Sequence, residues 1–206
     1  LIPGNNVNSA SNAGSDGRIE VDLFSVAIKG LNMAKLHGFL EQRGIAYRDY
    51  PSGRDTAVTD PDGIRTQLSP ENGWSILVPP NFTPEEVTMQ EEPVFRPAGL
   101  DHVLLNVTYP EKSAAFYQKI CGPPSQRNNN RIWFQAGASR IGLLQTPQGE
   151  RAGVTHFCVS AAAFNYETVV RRLQQIGARV QRPEAAGAVE FRDPDGSLIQ
   201  VMGSRA

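Results

Sequence analysis

Cysteine is nearly absent from the chain: Cys121 and Cys158 are the only two in 206 residues. That is too few for a disulfide framework, and their spacing is not the Cys-x-x-Cys of zinc or thiol–disulfide work. They read as two buried thiols of a reducing compartment, so the expected location is cytoplasmic. Concentrated charge is lacking too. Twenty basic residues face 21 acidic ones for a net charge of −1, and no Lys/Arg stripe offers to neutralise phosphates, so no nucleic-acid partner is expected. Long apolar runs are missing as well: 103–105 and 141–144 fall far short of the roughly 20 residues that cross a bilayer, so no membrane segment is expected. There is no Gly-rich phosphate loop, no nucleophile elbow and no supported Ser–His–acid set. The chain also has no initiator methionine. It opens Leu1-Ile2-Pro3, which points to something upstream having been removed and makes a missing signal peptide uninformative.

What the chain does contain is 40 % hydrophobic residues, enough at this length for one large or two small domains with a buried core. It also contains a repeat. Residues 22–68 align without a gap on 155–201 at a constant offset of 133, with identities that include Phe24/Phe157, Asn32/Asn165, Leu40/Leu173, Gly44/Gly177, the whole of Asp60-Pro61-Asp62-Gly63 against Asp193-Pro194-Asp195-Gly196, and Gln67/Gln200. Repeats decide architecture before any single residue does.

Each copy predicts an alternating strand, 23–28 or 156–161, then a helix opened by Asn32 or Asn165 as N-cap and closed by Gly44 or Gly177. Two further strands follow, joined by the Asp-Pro-Asp-Gly turn, whose Pro fixes φ and whose Gly allows a positive one. These turns are not calcium loops, because too few oxygen-bearing positions follow them. The unit is βαβββ. A more divergent copy has a strand over 100–107, a helix over 110–121 with Pro110 at its start and Gly122 past its end, and strands over 131–135 and 139–145.

The expected fold is therefore α+β, with tandem βαβββ modules that pair into open, barrel-like sheets. Three modules are visible. Because one such sheet leaves an open face and open edges, and because Leu1-Ile2-Pro3 precedes its module much as Leu144-Gln145-Thr146-Pro147 precedes the last one, a fourth module is expected to have been lost at the N-terminus. The expected division is 1–75 (remnant of the first module plus the second), a Pro-rich linker over 76–98, and a paired third and fourth module over 99–206. Residues 4–17, rich in Asn, Ser and Gly, read as a flexible loop.

Two of the three histidines occupy the same place in two modules. Alternation puts His102, Leu104 and Asn106 on one face of their strand and the apolar Val103, Leu105 and Val107 on the other, which must face the helix. The same parity sends His156, Cys158 and Ser160 to the open face. If the modules pair about a pseudo-twofold, both imidazoles meet in one cavity. His37, mid-helix, reads as a surface or packing residue.

The segments Gly99-Leu100-Asp101-His102-Val103, Phe116-Tyr117, His156-Phe157 and Phe191-Arg192-Asp193-Pro194-Asp195-Gly196-Ser197-Leu198-Ile199-Gln200 resemble the vicinal-oxygen-chelate superfamily of glyoxalases, bleomycin-resistance proteins and extradiol dioxygenases. The resemblance implies a divalent metal, Fe, Mn, Zn or Ni, held by side chains from the first and last strands of paired modules, commonly two His and at least one Glu. The histidine positions fall on His102 and His156, the last-strand carboxylate on Gln200, and the fourth position on Gly142. A carboxylate brings a full charge to a hard divalent ion where a Gln carbonyl brings only a dipole. The resemblance thus leaves two readings: a metal-dependent lyase, isomerase or dioxygenase acting on a small oxygen-rich substrate, and a metal-free protein that binds a small molecule in the same cavity. It also leaves room for a homo-oligomer.

Around that site, Arg140, Trp133 and Cys158 are expected to contact the substrate, with Arg140 as a fork for an anion. Glu190 is expected to be an exposed strand carboxylate. A simple four-residue loop over 193–196 pairs Val189 with Gln200 and turns Glu190 away; only a bulge would reverse that. In the second module Leu23 and Gln67 stand where His156 and Gln200 stand in the fourth, so that half is expected to hold no metal of its own. Because Gln67 recurs without the histidine, the glutamine is also open to a structural hydrogen-bonding role.

Overall fold

A computed structural model of the chain describes residue 21 and residues 23–71, 93–128, 130–181 and 187–204. The expected module remnant at 1–3, the polar segment 4–17 and residues 76–92 of the expected linker lie outside the described residues. Residues 96–98, expected as linker, are already strand.

Three βαβββ units follow one another. The first comprises β1 (Leu23–Ile28), α1 (Met33–Gln42), β2 (Tyr47–Asp49), β3 (Thr56–Thr59) and β4 (Arg65–Pro70). The second has β5 (Arg96–Val107), α2 (Pro110–Cys121), β6 (Gln126–Asn128), β7 (Arg131–Ala136) and β8 (Ser139–Gln145), and the third β9 (Gly153–Ala162), α3 (Tyr166–Gln175), β10 (Arg179–Gln181), β11 (Ala188–Arg192) and β12 (Leu198–Gly203). By the numbering used for the sequence these are modules two, three and four.

Capping explains the two repeated helices. Asn32 Oδ1 accepts the Lys35 amide at 3.0 Å and Asn165 Oδ1 accepts the Thr168 amide at 2.9 Å, satisfying donors that have no partner in the first turn. Gly44 (φ 61°) and Gly177 (φ 78°) then let the chain leave through a left-handed residue. α2 differs: Pro110 stands at its start and Tyr109 offers no side-chain cap.

Every module has the same sheet order, first strand beside last, then third, then second, with the first and last strands parallel. Modules three and four join through antiparallel β5 and β9 into one eight-stranded open sheet, β10-β11-β12-β9-β5-β8-β7-β6. The parity expected for β5 holds. Val103, Leu105 and Val107 pack with Ala114 and Tyr117 of α2, so the opposite parity is left for the site. Leu36 and Leu40 pack with Val58 and Leu68 in module two, and Val169 and Leu173 with Val189 in module four. Each such buried aliphatic contributes about 1.5–3 kcal/mol.

Module two docks on module three through its Asp-Pro-Asp-Gly turn. Asp60 Oδ1 accepts the amides of Asp62 and Ile64, both at 2.9 Å, while its Oδ2 accepts the Tyr117 hydroxyl at 3.2 Å. Asp62 accepts the Thr108 amide and the Ser113 hydroxyl at 3.0 Å each, which sets a carboxylate beside the uncapped, positive end of α2. Ile64 enters the same apolar cluster as Tyr117.

Candidate metal centre

The sheet register builds the site as two adjacent rows. One runs Glu190–Gln200–Cys158–His102–Arg140, one residue from each of β11, β12, β9, β5 and β8. The other runs His156–Leu104–Gly142–Trp133 across β9, β5, β8 and β7. Paired residues on neighbouring strands share a face, so both rows face away from α2.

The two histidines meet there. His102 Nε2 lies 3.1 Å from His156 Nε2, and both side chains are buried. On the far side of the ring, His102 Nδ1 lies 2.6 Å from Asp101 Oδ1. A carboxylate that accepts from Nδ1–H fixes the tautomer and leaves the Nε2 lone pair directed at His156. Burial, then the neighbouring His102 and Arg131, push the pKa of His156 down to about 4. His156 is therefore a neutral imidazole at neutral pH, the form that binds metals.

Asp101 is the residue that sequence reasoning missed. Strict alternation sends it to the helix side, but the β5–β9 register slips between Leu100 and His102, and the irregular backbone lets Asp101 and its neighbour His102 hydrogen-bond. The only sequence signal was a carboxylate adjoining the histidine. The same oxygen accepts from Arg140 at 3.1 Å, and the Arg140 guanidinium lies 4.4 Å above the Trp133 ring. Trp133 in turn packs edge-on against His102. Arg140 is thus engaged by Asp101 through one guanidinium nitrogen and by the face of Trp133.

Glu190 corrects the sequence reading. It pairs with Gln200, not away from it, and is buried; Gln200 Nε2 donates to Glu190 Oε1 at 2.9 Å. The reversal comes from the turn. Asp193 N donates to the Ser197 carbonyl and Gly196 N to the Asp193 carbonyl, with Gly196 at φ 92°. The loop is therefore three residues, 194–196, one fewer than expected, and is closed by a left-handed glycine, so the register shifts by one and the faces exchange.

The fourth position, Gly142, is closed. A Cβ there would lie 2.6 Å from the Trp133 ring and 2.8 Å from Leu104 Cδ1, so Trp133 occupies the volume a ligand side chain would need. Phe134, the next residue on β7, belongs wholly to the α2 core. His37 sits as expected outside the site, 2.9 Å from Asp49 Oδ1 and stacked on Tyr47.

These donors fit a divalent ion. Two nitrogens bound to one ion at about 2.1 Å lie about 3.0–3.4 Å apart for angles from about 90° to tetrahedral, and the imidazole pair at 3.1 Å falls within that span. A second donor set overlaps it: Asp101, His102 and buried Cys158 bring their ligand atoms within 4.8 Å of one another. The Nε2 pair is the better candidate, because Asp101 already accepts from His102 and Arg140 whereas neutral imidazoles need no proton removed.

Residues 99–201 match the model of the glyoxalase/bleomycin resistance protein/dioxygenase superfamily. The chain belongs to that superfamily. Among relatives, metallothiol transferase FosB of Shouchella clausii (strain KSM-K16) is 26% identical over 114 residues, covering 50% of this chain and 78% of the relative. Among solved structures, 2,3-dioxygenase LapB from Pseudomonas sp. KL28 superposes with a TM-score of 0.65 at 19% identity, over 91% of this chain and 73% of that one. The Mn(II)-bound glyoxalase from Novosphingobium aromaticivorans gives 0.56 at 16% identity, over 88% and 62%. The two structural likenesses establish a shared fold. As in any superfamily that hosts several chemistries on one scaffold, the fold alone does not choose the reaction. Among the described residues no helix is long and apolar enough to cross a membrane.

Proposed function

We propose that the chain is a divalent-metal-dependent enzyme of this superfamily, a lyase, isomerase or dioxygenase that acts on a small oxygen-rich substrate. The observation that carries the reading is the buried pair of imidazole Nε2 atoms 3.1 Å apart. The two rings are joined by a hydrogen bond when His156 carries its proton on Nε2; with that proton on Nδ1 instead, both Nε2 lone pairs converge on one point, the arrangement a cation would fill. His102, His156 and the carbonyl of Gln200 would hold the ion, whose chemistry is to polarise the substrate's oxygen atoms and offset charge that develops on them. Imidazole nitrogen suits Zn, Fe or Ni, the Gln200 carbonyl is a donor that Mn also accepts, and the neutral donor set leaves the ion its full charge.

The protein's own groups supply orientation and dryness. Asp101 holds the His102 ring in one tautomer. Trp133 and Leu104 wall the side where Gly142 leaves no side chain, and Arg140, seated on Trp133, brings positive charge to the edge of that wall. Cys158, between Gln200 and His102 in the row, completes the floor.

One observation favours a second reading, in which the same site binds a small molecule without metal: the last-strand position carries Gln200, a dipole, where a carboxylate would bring a full charge. Elemental analysis of protein purified without added metal decides between them. About one equivalent of a transition metal, lost in a His102→Ala/His156→Ala double variant, is expected. Protein that stays metal-free at neutral pH with added Zn²⁺, Mn²⁺ or Fe²⁺ would defeat the enzyme reading.

A further inference from the structure

Glu190 is a buried carboxylate whose side chain receives the Gln200 amide. We infer that Glu190 is a positioning residue that turns the carbonyl oxygen of Gln200 toward the histidine pair; this rests on the proposed metal reading of the site. A carboxylate accepts and does not donate, so Gln200 must present its NH₂ to Glu190, and its carbonyl oxygen therefore points the other way. Asp101 does the corresponding work on His102, taking Nδ1–H and leaving Nε2 to face His156. Two carboxylates, each one hydrogen bond behind a candidate donor, thus aim neutral ligands inward. The arrangement also answers the charge question. The negative charge usual for such a site is present, displaced by one strand, and acts through the amide.

The repeat supplies an internal control. Ala57 occupies in module two the place of Glu190 in module four, directly opposite Gln67 as Glu190 is opposite Gln200. The histidine place there is Leu23. The glutamine recurs in both modules, whereas the carboxylate behind it occurs only where the histidine does. A glutamine kept for sheet structure alone would not need Glu190.

Co²⁺ titration of the metal-stripped protein, read by its visible d–d absorption and by competition with a chelator, tests the inference. Glu190→Ala should weaken binding by about 10–100-fold and change the Co²⁺ spectrum, because the amide loses its orientation. Glu190→Gln, which can still offer a carbonyl oxygen to the Gln200 NH₂, should recover most of the affinity. A folded Glu190→Ala protein with the affinity and spectrum of the parent overturns the inference while leaving the metal reading intact. A parent protein that binds no Co²⁺ defeats the metal reading itself. Should Glu190→Ala fail to fold, the exchange variant Glu190→Gln/Gln200→Glu decides. It should bind Co²⁺ at least about 10-fold more tightly than Gln200→Glu alone, which sets two carboxylates at hydrogen-bond distance; equal affinities overturn the inference.

Discussion

Modules two and four are the same unit by sequence, yet one became an interface and the other half of a site. Their strands share order and register: β1 beside β4 matches β9 beside β12, Ser25 pairs with Gln67 and Cys158 with Gln200. They differ in what surrounds identical residues. In module two Asp60 is buried and Asp62 clips α2, while the open face carries Leu23 and Ala57. In module four the same turn projects outward, with Asp195 exposed, and the open face carries His156 and Glu190. A turn motif is thus structurally sufficient in both, and its neighbours decide whether it is also a joint.

Substitution at the two turns gives the largest expected contrast. Asp60→Ala strands two amides and the Tyr117 hydroxyl in a buried junction and should cost about 4 kcal/mol, whereas Asp193→Ala, which frees only the half-buried Ser197 amide, should cost about 1 kcal/mol. Urea unfolding of both variants measures the difference, and equal losses would mean that module two does not depend on its seat against α2.

The histidine that separates the modules should leave its own signature in pH dependence. The pKa of His156 is lowered from 6.5 to about 4 in the folded protein, so between those values the unfolded chain binds a proton that the folded one refuses. Stability is complete above about pH 6.5 and is lost as pH falls toward 4, by roughly 3 kcal/mol. His156→Leu, the residue of module two, should flatten this part of the curve in metal-stripped protein. A parent and variant with parallel pH profiles would show that His156 is solvated.

The smallest effect concerns the second aspartate of the turn. Asp62→Ala removes two hydrogen bonds and a charge beside the α2 terminus and should cost about 1.5 kcal/mol. Asp195→Ala, an exposed change, should stay within about 0.5 kcal/mol. Thermal melts resolve the pair, and the distinction between joint and loop fails if both are silent.

Much of this was legible beforehand, for reasons that can be named. Period-two alternation placed Val103, Leu105 and Val107 against α2 and His102 opposite, because apolar burial leaves one face for each parity. Asn32 and Asn165 announced their helices because a cap is a local hydrogen bond. Glu190 was misassigned because the turn was read as a four-residue loop, and a loop one residue shorter, closed by a left-handed glycine, reverses every face beyond it. Asp101 was missed because a register slip breaks the alternation on which its placement depended.

The sequence by itself determined the module, its repetition and the parity that turns two histidines to one face, since these follow from local periodicity, capping and turn chemistry. Only the tertiary structure decided that β5 lies beside β9 so that the imidazoles come within 3.1 Å, that Glu190 backs Gln200, and that Trp133 fills the space over Gly142. Those depend on register and on packing between strands far apart in the chain, where a shift of one residue exchanges the faces of a sheet.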